Sequence, residues 1–515
     1  MMDKLGRILQ ILISFMCTPP LLVVAFITMR YNVSVTHGWE EIINISRVPY
    51  TLYIVLVLVI VILLCGRILD GIDSRKFLCV GMACFAIFGL YLVFNADTSF
   101  RADQSSCFKI ANNINVGNFS DFKKGNYIDT YPFQLGWITL EQILIKFSKN
   151  ISFMYFCFFV FSALSIILLW LISKEIKQKN YVQNMTLTLS LLFFPHLFNI
   201  LFVYGNVPGY LLFLCAVYFQ IKSIKSDRIR YYVLTVFFGV SSFILKSNFE
   251  IGLIAITIIY VLEIVRHPKS RKFYITIVMI LGLIPVSSSI IGKYYSKKSG
   301  YKVTLNAGIP KQAFIAMGMK EGSGKFSGRY GWYNEYTIRT YAEKGYNTQK
   351  TAQAAKKEIG RRINIFRENP KYAFKFYKNK IVSTWGDSMH QSIWNGPLKV
   401  NTEIMKLIYR SDAKEYSVLC YISKIIEIII IIFTLVSSFG LLYKKECNIT
   451  TIYVLLAIIY FTGGFLFHLM WETKAQYTYQ YVSMLIPSAA LGIGMCREKV
   501  GILTDRMIFR LKNRR

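Results

Sequence analysis

The sequence predicts an all-α polytopic membrane protein with about twelve transmembrane helices, and three observations carry that prediction. Hydrophobic residues make up 54% of the 515-residue chain and charged residues only 17%, well short of the roughly one quarter charged in a soluble domain. The apolar residues arrive in blocks about 20 long, the length that crosses a bilayer. Lysines and arginines gather in alternate short connections between those blocks. A soluble enzyme, a disordered tail protein and a fibrous protein are excluded.

The first block, about Leu9 to Met29, follows the short basic leader of Lys4 and Arg7. It lacks a small-residue cleavage site and holds Pro19-Pro20, so it reads as a retained span, not a signal peptide. Further blocks lie near 49–66, 77–95, 151–173, 184–203, 208–222, 231–246, 250–266, 273–291, 419–442, 450–469 and 480–496. With the N-terminus inside, the inner connections hold Arg67/Arg75/Lys76, Lys174/Lys177/Lys179, Lys222/Lys225/Arg228/Arg230, Arg266/Lys269/Arg271/Lys272 and Lys444/Lys445. The short outward connections, at 30–48, 204–207, 247–249 and 470–478, hold only Arg30, Arg47 and Lys474. This is the positive-inside pattern. It accounts for the net charge of +32 without a nucleic-acid partner.

The apolar stretch Phe133 to Phe147 is left out of the count, because a crossing there would put every later basic cluster outside. Interrupted by Glu141 and Gln142, it reads as an interfacial helix in the first long outer loop. The ten cysteines form no CxxC pair, and Cys17, Cys65, Cys79, Cys84, Cys157 and Cys215 sit inside apolar runs as small hydrophobes.

The chain therefore divides into a transmembrane module at 1–291 with an outer loop at 96–150, an extracytoplasmic basic loop domain at 292–418, C-terminal transmembrane helices at 419–496 and a basic cytoplasmic tail at 497–515. The loop domain is expected to be mainly helical. Ala352, Ala355, Ile359, Ile363 and Phe366 recur at helical spacing, with Lys356, Lys357, Arg361 and Arg362 on the other side. After Asn369-Pro370 a second amphipathic stretch runs from Tyr372 to Trp385, its Phe376 and Tyr377 alternating with Lys375, Lys378 and Lys380. That pattern suits a helix at the headgroup level with snorkelling lysines, drawn to anionic membrane lipid. The cations can equally roof a phosphate site. Gly322-Ser323-Gly324-Lys325 is no phosphate loop, because Met319 and Phe326 stand where the motif needs Gly and Ser or Thr.

No motif for a metalloprotease, a nucleophile elbow or a metal site occurs. His196 and His468 fall inside spans and read as packed residues. What remains is a set of polar residues at the outer ends of helices: Arg101 and Asp103 beyond the third span, Asp129 in Asp129-Thr130-Tyr131-Pro132, Lys246 ending the seventh, and Glu472, Lys474 and Tyr477 after the eleventh. Each alone is ordinary. Their shared side of the bilayer is the signal.

An Asp soon after the span that opens the first long loop, the Ala111-to-Ile114 helix, the Tyr131-Pro132 turn and Phe467-His468-Leu469-Met470-Trp471-Glu472 leading to Ala475-Gln476-Tyr477 together resemble the GT-C class of integral membrane glycosyltransferases. The family 39 type is nearest, similar in outline to protein O-mannosyltransferases and aminoarabinose transferases. Relatives often have Arg-Tyr where this chain has Gln476-Tyr477, so Lys474 or Arg329 would take over the contact to the carrier phosphate.

The resemblance implies a GT-C-like fold and a polyprenyl-phosphate-linked sugar donor arriving from the lipid phase. It implies inverting transfer to a glycan, teichoic acid, lipid or protein acceptor on the outer face of the bacterial cytoplasmic membrane. Asp103 would be the general base. Lys246, Lys474 and Arg329, with Arg101 and Tyr477 beside them, would hold the carrier phosphate. Asp129 and Glu472 would orient the acceptor or hold those cations. No cofactor is required, although two outward acids leave room for a divalent cation. An envelope polysaccharide polymerase or ligase and a lipid-linked glycan flippase or transporter are the competing readings.

Overall fold

The structure, a computed structural model, describes residues 2–36, 41–47, 55–56, 59–60, 68–409, 413–442 and 448–512. Helix α1 (Met2–Arg30) runs through Pro19 and Pro20 and passes into an antiparallel hairpin of β1 (Tyr31–Thr36) and β2 (Ile42–Arg47). The hairpin register runs from Tyr31 opposite Arg47 to Thr36 opposite Ile42. The expected second span near 49–66 lies largely outside the described residues. Helix α2 (Ser74–Asn95) follows, started by the Asp73 side chain accepting from the Arg75 and Lys76 amides. Then come α3 (Ala102–Asn115), α4 (Leu135–Phe147), α5 (Ile151–Ile176), α6 (Asn180–Leu192), α7 (Asn206–Ser226), α8 (Ile229–Leu245), α9 (Glu250–Arg266) and α10 (Arg271–Ser299). Beyond the long middle segment stand α11 (Lys311–Gly318), α12 (Thr348–Glu368), α13 (Pro370–Trp385), α14 (Lys414–Leu442), α15 (Ile449–Met470) and α16 (Ile486–Lys512).

Among the described residues, eight helices are long and apolar enough to cross a membrane. The expected span at 184–203 is a broken one: α6 and the turn Pro195–Leu201 meet at 58°. Pro195 has no amide hydrogen to continue the ladder, and the His196 ring instead bridges the Ser190 carbonyl and Ser483 Oγ. Helix α8 is shorter, at 17 residues. Helix α16 runs without a break from the last expected span into the basic tail.

The charge pattern of the sequence reappears as a physical grouping. Glu175 pairs with Lys222 and Lys225, Asp227 with Lys272, Glu263 with Arg266, Glu498 with Lys179 and Asp70 with Arg497. These are the C-terminal ends of α5, α7 and α9 and the approaches to α6, α8 and α10, gathered at one end of the bundle. Gly6, near the start of α1, lies against the Arg266 side chain at the same end. The two long segments 96–150 and 292–418 meet at the other.

Helix α4 is held by close packing. A Cβ on Gly136 would come within 1.8 Å of the Ile244 carbonyl, so only glycine lets α4 sit against the end of α8. Trp137, Ile138 and Glu141 are fully buried, while Ile143 and Phe147 are exposed.

Helices α12 and α13 form as their spacing predicts, but two basic residues turn inward. Arg362 donates to the Met319 carbonyl and to the Tyr372 hydroxyl, with its guanidinium over the Phe366, Tyr372 and Phe376 rings. Lys380 is 1% exposed and donates to the Gly318, Leu469 and Trp471 carbonyls. It is a staple across the C-terminal ends of α11 and α15, not a snorkelling lysine. Lys375 and Lys378 remain exposed.

Candidate functional site

Asp103 lies in the first turn of α3, where the helix N-terminus favours an anion. The residue before it, Ala102, has φ +47°, a left-handed conformation that a non-glycine residue holds only when its surroundings force it. Those surroundings are specific. Gln104 donates to the Asn395 carbonyl and accepts from the Val203 amide. Arg101 donates to the Pro397 carbonyl and stacks over Trp394 at 4.4 Å. Burial pulls the Arg101 guanidinium down to about 10, with Tyr409 and Glu41 opposing the shift. The Tyr127 hydroxyl donates to one Asp103 oxygen at 3.1 Å.

Lys246 follows the last turn of α8, its ammonium 4.1 Å from the centre of the Tyr204 ring and 6.0 Å from that of Tyr477. Burial pulls it down to about 8, and the nearby Asp103, Cys107 and Glu472 work against that.

Glu472 and Lys474 stand on an extended, irregular segment that leaves α15, a strand in backbone direction alone. Its backbone is pinned at two points: the Glu472 amide donates to the Phe314 carbonyl and the Thr473 amide to the Gly331 carbonyl. Gly318 permits this approach, since a Cβ there would lie 2.4 Å from the Trp471 carbonyl carbon. Burial pushes the Glu472 carboxyl up to about 7, although Lys474, Lys380 and Lys246 pull it back. Burial also acts to lower Lys474, but Glu41 and Glu472 outweigh it and hold the ammonium above its ordinary value. Tyr477 stacks on His468, with ring centres 5.6 Å apart.

Two contributors lie outside what the sequence singled out. Glu41, on the connection into β2, is 4% exposed. It pairs with Lys474 at 2.7 Å and Arg329 at 3.7 Å. It also accepts from Gln391 at 3.3 Å. The other contributor is the turn at 386–397, buried along almost its whole length inside the segment expected to be an outer lobe. His390 and Gln391 both have positive φ, +49° and +52°. Asp387 holds that geometry by accepting from the Met389 and Gln391 amides. His390 then bonds Thr478 at 2.7 Å, and Gln391 accepts from the Gln476 amide. The turn thus ties Glu41 to the strand of Glu472 and Lys474.

Asp103, Lys246, Glu472, Lys474 and Tyr477 therefore come together, and Arg101 and Arg329 join them through Glu41 and Trp394. Asp129 does not. Its carboxylate accepts from the Gly125 amide and the Tyr341 hydroxyl, closing the turn that presents Tyr127. Among the described residues, no three His, Cys, Asp or Glu side chains are grouped to hold a metal ion. Asp103 lies at an exposed edge of the group, with Glu41, Glu472 and Arg329 buried behind it. The group can take a proton at one point and neutralise a growing negative charge at another.

Residues 132–291 match the family described as dolichyl-phosphate-mannose-protein mannosyltransferase, a GT-C type, in line with the resemblance read from the sequence. The matched segment contains α4 and Lys246 and lies between Asp103 and Glu472 in the chain. No curated protein matches. Among solved structures, the archaeal oligosaccharyltransferase AglB from Archaeoglobus fulgidus, solved with an inhibitory peptide and a dolichol-phosphate, overlaps at a TM-score of 0.41 and 12% identity. The overlap covers 85% of this chain and 52% of that one, so the chain spans about half of that protein's length.

Proposed function

We propose that this chain is a membrane glycosyltransferase of GT-C type that moves a sugar from a polyprenyl-phosphate donor to an acceptor hydroxyl, inverting the anomeric centre. The observation that carries the reading is the convergence of Asp103, Lys246 and Glu472 from α3, α8 and the strand after α15. Two acids and a lysine separated by hundreds of residues meet there, and the lysine lies inside the matched family segment.

In the proposed step the acceptor hydroxyl binds the Asp103 oxygen that Tyr127 leaves open. Asp103 takes the hydroxyl proton as the acceptor oxygen attacks the anomeric carbon from the face opposite the phosphate. The carbon–oxygen bond to the carrier breaks and its electron pair stays on the phosphate. Lys246, Lys474 and Arg329 stabilise that charge as it forms. Glu472 sits among these cations and orients Lys246 and Lys474. No cofactor is needed for this chemistry. The site faces the extracytoplasmic side, because the paired basic connections at the opposite end of the bundle belong inside.

The test is Asp103→Asn, which keeps the shape and removes the base. Transfer of labelled sugar from polyprenyl-phosphate donor should fall by about 100-fold or more, with expression and membrane insertion unchanged. Full activity in that variant would sink the proposal. Envelope glycans that are shortened on deletion, rather than missing one sugar, would favour a polymerase.

A further inference from the structure

Among the described residues, Glu41 is the carboxylate that the hairpin after α1 brings to the site, and its surroundings are built for an exchangeable anion. The side chain is nearly sealed from solvent, where an acid survives only if it is paired. Its partners, Lys474 and Arg329, are the cations that the proposed reaction assigns to the leaving phosphate. Its support does not depend on them. Gln391 donates to it from the strained turn, and β1 is fastened to the same turn by the Val33 amide on the Gly386 carbonyl. Lys424 fastens the start of β1 through the Tyr31 carbonyl. Glu472, the other buried acid of the group, is pushed up by burial although Lys474, Lys380 and Lys246 pull it back. Glu41 is the carboxylate that pairs directly with both Lys474 and Arg329.

We infer that Glu41 is a resident counter-anion: it holds Lys474 and Arg329 in place in the empty site, yields them to the carrier phosphate on binding, and reclaims them to expel the spent carrier. The inference rests on the transferase reading and names a residue for product release. A carboxylate and a phosphate both present anionic oxygens that accept from lysine and arginine, so the two compete for one set of donors. When the phosphate takes the cations, Glu41 keeps the Gln391 hydrogen bond and its fastened backbone, and no covalent change is involved. Removing its charge takes from Lys474 and Arg329 the carboxylate that competes with the phosphate.

The experiment measures binding of sugar-free polyprenyl phosphate to the full chain in nanodiscs, for the parent, Glu41→Gln and Glu41→Asp. One charge-assisted hydrogen bond corresponds to about ten-fold in affinity. Glu41→Gln should therefore bind the carrier about ten-fold tighter and turn over more slowly, with product release limiting. Glu41→Asp, whose shorter chain withdraws from Lys474 while keeping the charge, should lie in between, and it carries the test if the Gln variant does not purify. Inorganic phosphate run in parallel should gain by the same factor, since the phosphate group alone is read. A gain for phosphatidylglycerol without one for polyprenyl phosphate overturns the inference. Equal or weaker carrier binding by folded variants also overturns it and leaves the transferase reading standing. A parent chain that binds no polyprenyl phosphate sinks both.

Discussion

At the residue scale the site depends on one lysine, Lys246, kept at the edge of its charged range. Lys246 is held near 8 by burial, so in the free protein it is cationic below that pH and neutral above it. Phosphate affinity should therefore be complete below about pH 7 and fall as pH rises through about 8. Bound phosphate raises the same pKa, so the alkaline fall of kcat/KM for the donor should begin at lower pH than that of kcat. Lys246→Arg should remove that fall, because a guanidinium stays charged. An unchanged pH profile in this variant would show that Lys246 does not read the phosphate. Lys380 behaves differently although burial pulls it down to about 7. Its three acceptors are backbone carbonyls at helix ends, not substrate. Lys380→Met should lower the melting temperature by an amount corresponding to about 2–4 kcal/mol, because those carbonyls lose their donor. The donor KM of the surviving protein should change little.

At the element scale the decisive piece is the short strand from Trp471 to Lys474, clamped between α11 and Gly331. Gly318→Ala would push a methyl into the Trp471 carbonyl, and relief requires the strand to move. The expected cost is about 1–3 kcal/mol of stability. Transfer should fall more than ten-fold, because Glu472 and Lys474 move with the strand; helical circular dichroism should not change. Equal activity in Gly318→Ala would mean that the strand's position is not limiting. The strand's residues were legible in the sequence because they follow a long apolar block, and Asp103 and Lys246 were legible for the same reason. The turn at 386–397 was not. Asp387, Ser388, His390, Gln391, Ser392 and Asn395 have the composition of a solvated loop, and hydropathy cannot register polar side chains that are buried in a bundle and bonded to its backbone and to distant side chains. Glu41 was invisible on similar grounds, since an acid in a short connection reads as solvated until its partners, more than 280 positions away, are seen. Arg362 and Lys380 misled in the opposite direction: amphipathic spacing names the charged face correctly only when that face meets water, and here part of it meets backbone carbonyls.

At the scale of the whole molecule the bundle separates two kinds of charge. One end carries ion pairs such as Glu175 with Lys222 and Lys225, several of them partly exposed and each worth little alone. The other end buries Glu41, Glu472, Lys474 and Arg329 together, where an unpaired charge is costly and a phosphate is a welcome partner. On the proposed reading the two ends have different tasks: the first fixes orientation during insertion and the second holds the chemistry. If the basic connections set the topology, Gly345, an exposed turn at the site end, faces outward, and Lys269, on the connection between α9 and α10, faces the cytoplasm. Alkaline phosphatase inserted at Gly345 should then be active in intact cells and the same fusion at Lys269 inactive, while a fluorescent protein placed after Arg515 should fold and fluoresce. The reverse pattern would put Asp103 among cytosolic nucleotide sugars, and a lipid-linked donor would no longer be required by the geometry. The expected signals would leave the lipid phase as the donor's route to the cations and the extracytoplasmic space as the acceptor's route to Asp103.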